Sequence, residues 1–140
     1  MTPTFQKWPQ AVHEVLRTWR SGGLAEMPWA GLALVRQRLA EQILPNLEAA
    51  VKEIVLEALN LLEKRARHDE ARILRLRFLD GLTATAVASR LNLSANVIYK
   101  TQRVAIEELA AILQQAERQA NATRTARVLA RLEIPDAPRL

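Results

Sequence analysis

At 140 residues with a net charge of +5, the chain is long enough for one core, or for two small helical units sharing one. Hydrophobic residues make up 49% of it but aromatic ones only 4%, with Leu and Ala dominant, so an all-α fold is expected and a sheet protein excluded. Cysteine is absent, which removes disulfides and thiolate metal sites; no apolar run approaches the roughly 20 residues that span a bilayer, and Met1–Lys7 lacks the plan of a signal peptide, so a cytoplasmic chain is expected.

Trp8-Pro9 opens a first helix, about Gln10–Arg20, with Val12, Val15, Leu16 and Trp19 on one face; Ser21-Gly22-Gly23 ends it. Pro28 starts a second, about Trp29–Leu44, whose apolar positions Leu32, Val35, Leu39 and Ile43 recur at helical steps until Pro45. Asn46 stands as the cap of a longer third helix reaching about Arg67. There Leu47, Val51, Ile54, Ala58 and Leu61 make one stripe, and Val55, Leu59 and Leu62 broaden it, which implies a central helix with more than one neighbour. The basic run Lys64–His68 suits the negative end of that helix. Asp69 is the expected cap of a fourth helix to about Asp80, with Ile73, Leu74, Phe78 and Leu79 inward and Gly81 closing it.

From Thr83 to Leu113, two helical patterns meet across the corner Asn92–Ser94. Val87, Ala88 and Leu91 face inward on the first, and Ile98, Ala105 and Leu109 on the second. Thr83 and Ser94 stand where N-caps belong, and Ala88 offers the methyl-sized contact that two steeply crossing helices need. That is a helix-turn-helix pattern. The second helix meets no breaker before Asn121. Beyond it, Val128, Leu129 and Leu132 alternate with Arg124, Arg127 and Arg131 in a short final helix, and Ile134–Pro138 reads as a linker. A linker leading to so few residues creates the expectation that the natural chain continues past Leu140. The expected division is 1–67, an N-terminal three-helix unit; 68–120, the helix-turn-helix with an extended last helix; and 121–140, a short helix and linker, giving six or seven helices in all.

The charge is uneven: residues 1–60 hold six basic and six acidic side chains, residues 61–140 fourteen and nine. The surplus lies in the half that carries the helix-turn-helix, where it suits a polyanion. His13 and His68 have no second ligand spaced near them, so no metal is expected. Trp8, Trp19 and Trp29 are expected as core anchors. No nucleophile–base–acid set and no glycine-rich phosphate loop is present, so neither an enzyme nor a cofactor is expected. The segment after Leu109 has too few apolar turns to define a coiled coil, which leaves a homodimer open.

Residues 69–113 resemble the promoter-reading C-terminal domain of primary sigma factors and the related extracytoplasmic-function sigma factors. The likeness rests on Ile73-Leu74-Arg75-Leu76-Arg77-Phe78, Gly81-Leu82-Thr83, Val87-Ala88, Leu91, Leu93-Ser94, Ile98, Ala105-Ile106 and Leu109. The same signature occurs in response regulators and in helix-turn-helix modules of larger signalling proteins. Ahead of Asp69 the chain shows no recognisable polymerase-binding or promoter-melting helix. The whole is instead similar to the N-terminal helical module of bacterial STAND-class signal-transduction ATPases, which would place a nucleotide-binding domain beyond Leu140.

The sigma resemblance implies that the first turns of the second helix enter the major groove of double-stranded DNA. Carried onto this chain, the contacts are Asn96, Tyr99 and Lys100, with Ser94, Gln102, Arg103 and Arg90 toward the flanking backbone. Asn96 suits adenine, Lys100 guanine or phosphate, and Tyr99 stacking or a phosphate. Ala95 departs from the long basic side chain usual in the family. Arg72, Arg75 and Arg77 of the preceding helix are further phosphate candidates, although Arg77 could instead pair with Asp80. The expected function is a DNA-binding module of bacterial transcription or signalling. The rival is an N-terminal protein-interaction or adaptor module of a STAND-class ATPase, with a protein partner or that ATPase domain in place of DNA.

Overall fold

A computed structural model describes residues 7–21, 28–41, 46–65 and 68–133, and among them the chain is helical, with no strand. The expected roles of Gly22-Gly23, Ile43, Pro45, Arg67 and the 134–138 segment fall outside the described residues.

Helix α1 spans Trp8–Arg17, with Pro9 in the first turn, where its missing N–H costs nothing. It stops a turn short of the expected Arg20, where the Thr18 hydroxyl donates back to the Glu14 carbonyl at 2.9 Å. The second expected helix begins as a 3₁₀ turn, Pro28–Gly31, and becomes α-helical only as α2, Ala33–Glu41. The change of pitch coincides with a cap from far along the chain: the Ala33 and Leu34 amides donate to the Glu117 carboxylate at 3.0 and 2.9 Å. Leu39, expected inward, is exposed. Its neighbour Arg38 is what faces the next helix, donating to Glu57 at 2.8 Å and also bonding Glu53.

Helix α3, Leu47–Lys64, starts as expected, with the Ala49 amide donating to Asn46 Oδ1 at 2.9 Å. Its buried face is Ala50, Val51, Ile54, Val55, Ala58, Leu59 and Leu62, packed against α2 and two later helices. Leu61 is a correction to the expected stripe: at 46% exposure it lies just past the edge of the seam that Leu62 closes. Helix α4, His68–Leu74, begins one residue before Asp69. Asp69 is therefore not the cap but a first-turn acid beside the positive helix end.

Helix α4 runs into a π-helical turn, Arg75–Leu79, closed by the Asp80 amide donating five residues back to the Arg75 carbonyl at 2.9 Å. Gly81 then takes φ +76°, and the Leu82 amide reaches the Leu76 carbonyl at 3.0 Å. Arg20 straps this corner down from the far side, donating to the Asp80 carbonyl at 2.7 Å. A Cβ on Gly81 would stand 2.8 Å from its Nη1.

Helix α5 spans Ala84–Leu91 and α6 runs unbroken from Ala95 to Glu133, 39 residues and about 58 Å at the usual rise. Asn121 does not end it. Its side chain donates one turn back to the Glu117 carboxylate at 3.1 Å, and the separate final helix expected after it is the distal part of α6.

Two clusters of buried side chains hold these elements. The larger joins α1, α2, α3 and α4 to the middle of α6, from Ala105 to Leu113, and includes all three tryptophans. Trp8 and Trp29 meet edge to face at 6.2 Å, and Lys52 lies over the Trp19 ring, so the tryptophans are core anchors. The smaller cluster gathers Ile73, Leu76, Ala84, Val87, Ala88 and Ile98 under the helix-turn-helix. Helices α4 and α6 contribute to both.

Candidate nucleic-acid interface

The corner between α5 and α6 is built from local hydrogen bonds. The Thr83 hydroxyl accepts from the Ala86 amide at 3.1 Å and starts α5. Asn92 ends it in the left-handed region, φ 59° and ψ 44°, one of the few non-glycine residues that tolerates this geometry. The Leu93 amide then closes on the Ala88 carbonyl at 2.9 Å, and the Ser94 hydroxyl accepts from the Val97 amide at 3.2 Å to start α6. Below the corner, Val87, Ala88 and Ile98 are buried. With the corner pinned and Ile98 inward, α6 has one rotational setting.

That setting turns Asn96, Val97, Lys100, Arg103 and Val104 outward on one face, at the three- and four-residue steps of a helix. Tyr99 is 53% exposed and lies on the flank toward α1. Tyr99, Arg103 and Glu107 face Pro9, Gln10 and His13 across a hollow of about 340 Å³. No part of the distal helix covers this face; Asn96, Tyr99 and Lys100 are open to solvent, and Arg90 at the end of α5 is exposed beside them. No carboxylate occurs from Gly81 to Ile106, so Arg90 and Lys100 meet no opposing charge along this stretch of sequence, while Arg103 has Glu107 one turn on. Ser94 is exposed, but its oxygen already serves the helix start.

Gln102 does not belong with these residues. It is buried at 8% exposure, and its Oε1 accepts from Arg77 Nε at 3.0 Å. Arg77 also donates to the Leu82 carbonyl at 3.0 Å and lies between two rings, 5.4 Å from the Phe78 centroid and 6.0 Å from that of Tyr99. It is neither a phosphate contact nor a partner of Asp80, but a brace tying the π turn to the back of α6. Arg75 is likewise engaged, donating to Glu63 and Asn60 at 2.6 Å each. That bond holds the Glu63 carboxyl below its ordinary pKa. Of the fourth-helix arginines, Arg72 is exposed and Arg75 and Arg77 are half-buried.

Sequence pattern did not reveal the Arg77–Gln102 brace or the Glu117 cap. The available signal was a polar residue on an otherwise apolar row: Gln102 falls between Ile98 and Ala105, and Glu117 between Leu113 and Ala120. A polar residue in such a place must find a buried partner.

Among known proteins, the profile of the ECF sigma factor family matches residues 31–124, well over half of the chain. The match begins far ahead of Asp69 and takes in α2 and α3, helices whose pattern had shown no recognisable sigma region. The likeness to a STAND-class module finds no support in it. No curated protein and no solved structure matches the chain.

Proposed function

Since the chain belongs to the ECF sigma factor family, we propose that it is a DNA-binding module of bacterial transcription whose α6 lays its first turns in the major groove. The observation that carries this is the open face of Asn96, Lys100 and Arg103, whose first two turns hold no carboxylate; the acid that follows on the helix, Glu107, stands one turn beyond Arg103. In this reading Asn96 pairs with adenine and Lys100 with guanine or a phosphate, while Arg90 and Arg103 flank them as phosphate contacts. Tyr99, on the flank, reaches backbone rather than base. Gln102 acts from behind by fixing α6. The family is one of transcription regulators, and a promoter-reading role makes RNA polymerase the protein partner.

Few phosphates are contacted, so binding is weak and moderately salt-dependent. With about three contacts, log affinity falls with log salt at a slope near −3. Titration of a fluorescent random duplex between about 50 and 300 mM salt measures that slope. Lys100→Ala and Arg103→Ala each reduce it by about one. Undetectable binding at the lowest salt would refute the proposal and leave the exposed face to a protein.

A further inference from the structure

The face of α6 turned toward DNA is more apolar than charge-driven binding requires. Leu93, Val97 and Val104 are 42%, 40% and 43% exposed, and none belongs to or packs on either core cluster. Their inward neighbours already supply the packing: Ile98 and Ala105 are fully buried. Val97 follows Asn96 and precedes Lys100 by one turn, at the edge of the outward face and in the first turn of the helix. Leu93 sits at the head of the same helix, its amide held by the Ala88 carbonyl at 2.9 Å. Val104 is two turns farther on, about 10 Å along the axis, and does not share the position.

In the major groove, thymine alone among the bases presents a methyl group, and adenine alone offers the acceptor–donor pair that an asparagine amide matches bidentately. Consecutive Asn96 and Val97 carry both complements. Resting on the DNA-binding function proposed above, we infer that Val97, with Leu93 beside it, reads a thymine methyl, so the ligand is duplex DNA with adjacent adenine and thymine in the major groove under the start of α6. An exposed valine is merely tolerated in water. Against a thymine methyl both apolar surfaces leave water together, and the preference arises without any added charge. The light basic character of the face then limits affinity for any DNA while leaving sequence discrimination intact.

The test starts from duplexes selected out of a randomised pool by the full chain at low salt. In the selected site, each thymine is replaced singly by deoxyuridine, which removes the methyl and nothing else. One position is expected to lose about three- to fivefold in affinity, the equilibrium value of one methyl group's burial. Val97→Ala should lose a similar factor on the unmodified site and become indifferent to deoxyuridine at that position. Asn96→Ala, by contrast, should relax the adenine preference and keep the deoxyuridine effect. Because Val97 is outside both cores, its variant folds, and circular dichroism confirms this. Binding with no methyl-sensitive position, or equal sensitivity in Val97→Ala, overturns the inference while leaving DNA binding in place. Retention of no duplex removes both.

Discussion

Arg77 is the residue whose loss separates a brace from a DNA contact. Its guanidinium donates to the buried Gln102 carbonyl oxygen and to the Leu82 carbonyl, both at 3.0 Å, and lies against Phe78 and Tyr99. In Arg77→Met the apolar stem remains, but Gln102 loses its donor in a site that admits little water. An unsatisfied buried acceptor costs about 1–3 kcal/mol, and the half-buried Leu82 carbonyl adds a few tenths. The two ring contacts contribute about 0.5 kcal/mol each where partly exposed. The sum is about 2–4 kcal/mol, or a fall in Tm of roughly 7–14 °C for a chain of this size. Urea denaturation of Arg77→Met, Gln102→Met and the double variant measures it. Removing both polar partners restores an apolar seam, so the double variant should be at least about 1 kcal/mol more stable than the sum of the single losses implies. A single loss below about 0.5 kcal/mol, or strict additivity, would show that the pair is not coupled and that Arg77 is free to meet a phosphate.

Three further outcomes test the fold that presents the site. Gly81→Ala combines a φ of +76° with a Cβ placed 2.8 Å from Arg20 Nη1; it should cost about 1–2 kcal/mol in urea denaturation, and Arg20→Ala should recover part of the steric share only. Glu117→Ala strips the carboxylate from the Ala33 and Leu34 amides; about 3 kcal/mol is expected, with amide exchange at those two positions speeding up more than in α5. His13 has its pKa lowered from 6.5, chiefly by burial and next by Arg17 and Arg77, against Glu14. The unfolded chain therefore binds the proton first, and the stability this site contributes is complete above pH 6.5 and declines as pH falls from there through the lower folded value. His13→Gln should flatten the urea midpoint across that window, and an unchanged pH profile would mean the imidazole is not the group responsible.

What the sequence disclosed and what it concealed divide by the range of the interaction. Thr83, Asn92 and Ser94 act on amides within a few residues of themselves, so spacing alone places the corner and the helix starts. Asn46 was legible for the same reason, and the inward set Val87, Ala88 and Ile98 follows from period. Partners far along the chain leave no such trace. Nothing local to Glu117 says that it will cap a helix 83 residues earlier. Leu61 and Leu62 are equally apolar, and only the positions of the neighbouring helices decide that one is exposed and the other buried. At the site, exposure was readable for Asn96, Tyr99 and Lys100. Gln102 was misplaced because, in sequence, a glutamine beside Arg103 looks like surface.

The length of α6 gives the site its rigidity. Ile98 is fixed in the small core and Ala105 to Leu113 in the large one, with Gln102 clamped between them by Arg77. A helix held in two packed cores has one rotational setting, because a change of one residue between them would turn the outer segment by about 100° and carry Ile98 out of its seat. The face bearing Asn96, Val97 and Lys100 therefore inherits its orientation from α1, α3 and α4 as much as from the α5–α6 corner. An isolated helix-turn-helix of this sequence would keep its caps and lose that reference. The helices ahead of residue 69 accordingly belong to the unit that orients this face, in keeping with a family match that begins at residue 31 rather than at the helix-turn-helix.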